Sequence, residues 1–412
     1  GGQATNLSIT ADNLGKVEFT NVNGGTIDAD TIKSFGTRSD RRNNIAGDVN
    51  NLTITLFGDP TFRETLGSVR VDGNGNSVTL DVAGPTGSID FDGSVDDLQL
   101  SGATDVKGFS AGSVTETTLS ANVFGNIQVT EWDGGGITGD IVKSIQSRGD
   151  RRENIPGDFD NVIVTLFGSP AESTTLGRFD VSGGSANAEV NVTGDTSKFE
   201  IDGTVGNLAA QFASEVKSIR LGVVTTAAIT ADILGSVDAT SWQAGLIDAN
   251  FIKSVKTSGN RDGDPGDFGA LVRVNVGNPP PVVGVEVFGG ANIAGTLLAT
   301  ALWDINGDSG SIRADSAAGW DLAVGGVLKS ITFDENAAGI MCALAFGPIK
   351  IGGNMTGGVF LAGIGFGPDG DFDAPADNPP LVGGAVSFIQ SLTINGTTPN
   401  ATGVFTAGQF PS

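Results

Sequence analysis

Apolar and polar residues alternate along this chain in short runs, as in Val69-Arg70-Val71-Asp72 and Val78-Thr79-Leu80-Asp81-Val82. That is the period of a strand with one face buried. No useful stretch carries the longer period of an amphipathic helix. The runs gather around a four-residue tag: an apolar residue, then Gly or Lys, then a small or polar residue, then another apolar one. It is seen at Leu14-Gly15-Lys16-Val17, Ile32-Lys33-Ser34-Phe35, Leu66-Gly67-Ser68-Val69, in part at Gly87-Ser88-Ile89, and again at Val106-Lys107-Gly108-Phe109 and Phe124-Gly125-Asn126-Ile127. Most steps between tags are 17 to 21 residues, and the one step of 34 leaves room for a further turn around Leu52–Phe57. Six turns are therefore expected in each larger repeat.

The larger repeat has a spacing of 110 residues: Ile32-Lys33-Ser34-Phe35 returns as Val142-Lys143-Ser144-Ile145 and again as Ile252-Lys253-Ser254-Val255. A fixed period means stacked supersecondary units, each too small to bury its own apolar face. Residues 1–114, 115–224 and 225–336 form three repeats, and 337–412 reads as degenerate terminal turns or an assembly section, all in one stack. The expected fold is all-β: an elongated parallel β-helix, or β-solenoid, of about 20 turns with strands ~4.8 Å apart. Right-handed winding is expected because parallel crossovers prefer that hand.

Composition supports a chain that turns often. Of 412 residues 63 are Gly, clustered where strands end, and Gly and Asn accept the positive φ of tight corners. The formal charge of −24 sets a long-range field against nucleic acid and anionic membranes. No run of 18 apolar residues is present, so membrane insertion is not expected. The start at Gly1-Gly2-Gln3 lacks a charged and apolar leader pattern, as expected of a processed or excised segment. Cys342, the only cysteine, lies in the apolar run Ile340–Leu344 and is expected to be buried and inert.

Histidine is absent, which removes Ser-His-Asp and Cys-His nucleophile systems and histidine-ligated metals. Carboxylate-pair glycoside hydrolysis remains chemically open. Tyr is absent and the four Trp are scattered, so no sugar platform is evident and the chain reads as a non-enzyme. Trp132 and Trp242 occupy equivalent repeat positions, which suits packing.

Three loops carry candidate chemistry. Asp304-Ile305-Asn306-Gly307-Asp308-Ser309 resembles a calcium loop but puts Ser309 where the sharp turn needs Gly; the repeat explains it as a strand ending in Gly. The loop 369–378 holds Asp369, Asp371, Asp373 and Asp377, carboxylates that could converge on Ca2+. Most distinctive is an Arg-rich loop that occurs twice. Arg38, Arg41 and Arg42 in 38–48 are echoed by Arg148, Arg151 and Arg152 in 148–158, six turns on by the count above. Guanidinium forks pair bidentately with carboxylates. These residues suit contact with acidic faces of identical neighbours or an acidic polysaccharide, or an Asp/Arg ladder within the chain. Arg148-Gly149-Asp150 matches an integrin-type tripeptide only in form, since its other copy reads Arg38-Ser39-Asp40.

The tags LGKV, IKSF, LGSV and VKSI, with VFLAGIGFGPDGDFDAPADN and SLTINGTTPNATGVFTAGQF, resemble the large Gly-rich β-helix repeat proteins, surface or secreted, of environmental bacteria. The resemblance spans nearly the whole chain and implies an extracellular or cell-surface scaffold. The expected function is a secreted structural protein, a protomer that polymerises with copies of itself into a fibre, sheet or surface layer through open strand edges. An adhesin or polysaccharide-binding rod is the alternative, and a polysaccharide-degrading β-helix enzyme a more distant one.

Overall fold

The computed structural model describes residues 2–40, 42–43, 45–150, 152–153, 155–261, 263–276, 284–363 and 387–397, and the backbone of 405–407. Every regular element among them is a strand, and the strands pair in parallel, as a β-helix requires. The first are β1 (Gln3–Phe19), β2 (Asn21–Thr37), β3 (Val49–Leu56), β4 (Leu66–Val71), β5 (Gly75–Phe91), β6 (Val95–Gly139) and β7 (Ile141–Ser147). The longer ones bend at corners and continue onto the next face of the coil. Gln3 of β1 lies opposite Asn21 of β2 and Phe19 opposite Thr37, one coil of 18 residues.

The spacing of 34 is one coil and not two, which corrects the turn count. β2 pairs with β3 through Ile27 and Ile54, and with β4 through Ile32 and Leu66. β3 and β4 thus lie on two faces of a single coil that has gained loops at 38–48 and 57–65. Above it, Leu66 faces Thr86, Ser88 faces Gly108, and Phe124 faces Val142. Five coils, rather than six, fill the 110-residue repeat.

The chain divides into two compact units, Gly1–Ser214 and Glu215–Ser412. In the first, one corner takes positive φ in every coil, at Asn6, Gly24, Asn51, Ser77, Asp97, Glu116, Gly134, Asn161, Asn187 and Asn207. Asn tolerates that region because its short side chain finds local hydrogen bonds. Here it finds them up the stack: the amide of Asn207 donates to Asn187 at 2.8 Å and that of Asn187 to Asn161 at 3.2 Å. Inside, Phe35, Val69 and Ile89 lie in register, as do Ile127, Ile145, Phe179 and Phe199, all buried. An aromatic file runs Phe109, Trp132, Phe159, Phe179 and Phe199, with ring centroids 4.6 to 6.3 Å apart. Such contacts add to plain area burial.

The second unit repeats the plan. Ile247, Val272, Trp303, Leu322 and Met341 lie in register, and Trp242, Phe268, Trp303, Trp320 and Phe333 form its aromatic file. The equivalence of Trp132 and Trp242 is a packing equivalence: each indole N–H donates to the carbonyl two residues on, Gly134 at 2.8 Å and Ala244 at 2.9 Å. Asp304 lies on strand Leu302–Ile305, paired on both sides, as the repeat reading of that segment expects. Cys342 is buried, and burial, with Asp321 nearby, pushes its thiol up to about 12.

Candidate assembly and ligand surface

The Arg loops leave the stack between two strands of consecutive faces and are closed by repeated devices. At the base, a hydroxyl at one repeat position donates to a loop carbonyl: Thr37 to Gly47, Ser147 to Asp158 and Thr257 to Gly266. At the exit, a carboxylate reaches the next coil. Asp48 accepts from the Asn74 backbone N–H at 2.7 Å, Asp158 from Gly184 at 2.6 Å and Asp267 from Thr296 at 2.7 Å. Each end is therefore tied to the scaffold.

The tip is a tight reversal. Asp40 and Ile45 bridge in antiparallel fashion, as do Asp150 and Ile155. Asp40 Oδ1 accepts from the backbone N–H of Arg42 at 3.0 Å, and Asp150 Oδ1 from that of Arg152 at 2.7 Å. The Asn43 side-chain amide, with backbone N–H groups of Asn43 and Arg42, holds the Asp40 carboxyl below its ordinary value. The acidic residues of the motif thus shape the loop, and the exposed side chains of Arg42 and Arg152 are left to project.

The two copies treat their first arginine differently. Arg38 lies 3.3 Å from Glu18, which also pairs with Lys16. Gln128 stands at the position of Glu18 one repeat on, and Arg148 has no ion pair among the described residues. Arg42 and Arg152 are exposed and likewise carry none there. A shallow depression beside the first loop is lined by Lys16, Glu18, Ser34, Arg38, Arg70 and Asp72, a mixed-charge surface. Arg41, Arg151 and the four carboxylates Asp369, Asp371, Asp373 and Asp377 lie outside the described residues.

A second repeated loop was not anticipated. Phe57 and Phe167 follow β3 and its equivalent, 64% and 58% exposed, with Phe62 at 50%. The signal is present as Leu56-Phe57-Gly58-Asp59-Pro60 and Leu166-Phe167-Gly168-Ser169-Pro170, but the run Leu52–Phe57 reads as a strand that includes its Phe.

No family model, curated protein or solved structure matches the chain.

Proposed function

We propose that the chain is a secreted structural protein whose β-helical coils assemble, copy against copy, into an extracellular fibre, sheet or surface layer. The observation that carries this reading is the pair of Arg loops. Arg42, Arg148 and Arg152 project from anchored loops five coils apart, without ion pairs among the described residues, on a chain of net charge −24. Free guanidinium groups on an acidic molecule are complementary to the remainder of an identical molecule. Each exposed pair is worth only roughly 0.2–1 kcal/mol, so several are needed and salt should weaken them together.

Sedimentation velocity of the full chain tests this. Association is expected at about 0.1 M salt, where the Debye length is ~10 Å, and reduced at about 1 M, where it is ~3 Å. The triple variant Arg42→Gln, Arg148→Gln, Arg152→Gln should associate less while unfolding at the same temperature. Wild-type chain that stays monomeric at high concentration and binds polygalacturonate through the same arginines would favour the polysaccharide-binding reading, which the fork geometry of guanidinium also suits.

A further inference from the structure

The Phe57 and Phe167 loops are two copies of one apolar tip. In both, the Phe N–H donates to a carbonyl of the preceding coil, Phe57 to Ala29 at 3.0 Å and Phe167 to Gly139 at 2.9 Å. Gly58 and Gly168 then turn the chain at φ +83° and +75°. Short side chains fix the turn that follows: Asp59 accepts from the backbone N–H and hydroxyl of Thr61, and Ser169 from the N–H of Ala171. Asp59 is held below its ordinary value by those same donors. The rings are thus presented by ordered loops, so little conformational entropy remains to be lost when a partner covers them.

The loops lie five coils apart in one unit, roughly 24 Å at ~4.8 Å per strand. Their charges differ. Arg63, on the first loop, and Glu172, on the second, are exposed and have no ion pair among the described residues. Glu64 is already engaged with Lys107.

We propose that these loops form an isologous contact with a second, antiparallel copy of this chain, the Phe57 loop of each against the Phe167 loop of the other. The inference rests on the self-assembly reading and gives it an orientation. Equal spacing means that antiparallel copies satisfy both loop contacts at once, as a two-fold interface requires. With Asp59 of the first loop engaged by Thr61, the exposed charges Arg63 and Glu172 favour this arrangement over the parallel one. It brings Arg63 to the partner's Glu172 twice over, whereas parallel copies would set Arg63 against Arg63 and Glu172 against Glu172. The covered Phe rings supply the apolar core of the patch and the ion pairs its rim.

The test is the dimer dissociation constant of the full chain, measured by sedimentation equilibrium, for wild type, Phe57→Ser with Phe167→Ser, Arg63→Glu, and Arg63→Glu with Glu172→Arg. Thermal unfolding of each variant verifies that it folds. Both Phe57→Ser with Phe167→Ser and Arg63→Glu are expected to weaken association at least tenfold. The charge exchange, Arg63→Glu with Glu172→Arg, should restore it to within a few-fold of wild type. Wild-type assembly that is indifferent to all three changes overturns this contact while leaving self-assembly standing. Weakening by Arg63→Glu without rescue overturns the antiparallel orientation. A wild-type chain with no self-association removes both proposals.

Discussion

Gly67 stacks directly on the backbone carbonyl of Lys33: a methyl group at Gly67 would lie 2.2 Å from that oxygen. The same approach recurs at the second position of the tag, where Gly125 faces the Lys107 carbonyl and Gly177 that of Lys143. At these tag positions Gly stands where the neighbouring coil leaves no room for Cβ. Gly67→Ala is expected to destabilise by ~1–3 kcal/mol through overpacking. Gly15→Ala, at the same tag position with nothing within 4 Å, should stay within ~0.5 kcal/mol. Urea unfolding of the two variants checks the contrast.

Ile145 is fully buried and lies in register between Ile127 and Phe179. Ile145→Ala should cost about 2–5 kcal/mol by opening a cavity. Ile145→Asp should cost more, because an unpaired carboxylate would be held among apolar side chains. Denaturant midpoints at fixed slope measure both.

Asp160 should weaken the fold at neutral pH. Burial raises its pKa, and Asp158, Asp133 and Glu131 raise it further by repulsion. A group whose folded pKa is raised contributes stability that is complete below its ordinary value and is lost as pH rises through the folded value. Asp160→Asn keeps an oxygen to accept the Ala186 N–H, bonded at 2.6 Å in the native protein, and removes the charge. Its melting temperature should exceed wild type at pH 7 and match it below the ordinary carboxylate range.

Cys342 should resist alkylation in the folded protein. Its thiol is buried and pushed up to about 12, so almost no thiolate exists at neutral pH. Labelling with iodoacetamide should proceed only as strand Ile340–Ile351 opens, and denaturant should accelerate it. Prompt labelling under native conditions would contradict this placement.

Much of the fold was legible in the sequence because β-helix coils write their own period. The tags mark one face, the period-2 runs mark inward positions, and the match of Trp132 to Trp242 identified a repeated core contact. The turn count was not legible. Leu52–Leu56 alternates as a tag strand does, and only its pairing with Ala29 and its neighbours shows that it shares a coil with Leu66–Val71. At the Arg loops the residue types were visible, but the pairing of Arg38 with Glu18 connects successive coils and no local pattern reports it. Phe57 differs: Leu52, Ile54 and Leu56 point inward, so the same alternation sets Phe57 outward, and what no local pattern reports is that, among the described residues, no neighbouring segment covers the ring.

Negative-stain electron microscopy of the full chain at rising protein concentration, in low and in high salt, tests the self-assembly account most directly. The account predicts ordered fibres, sheets or layers that grow with concentration and disperse as salt rises. Isolated particles of single-chain size at every concentration and salt would contradict it.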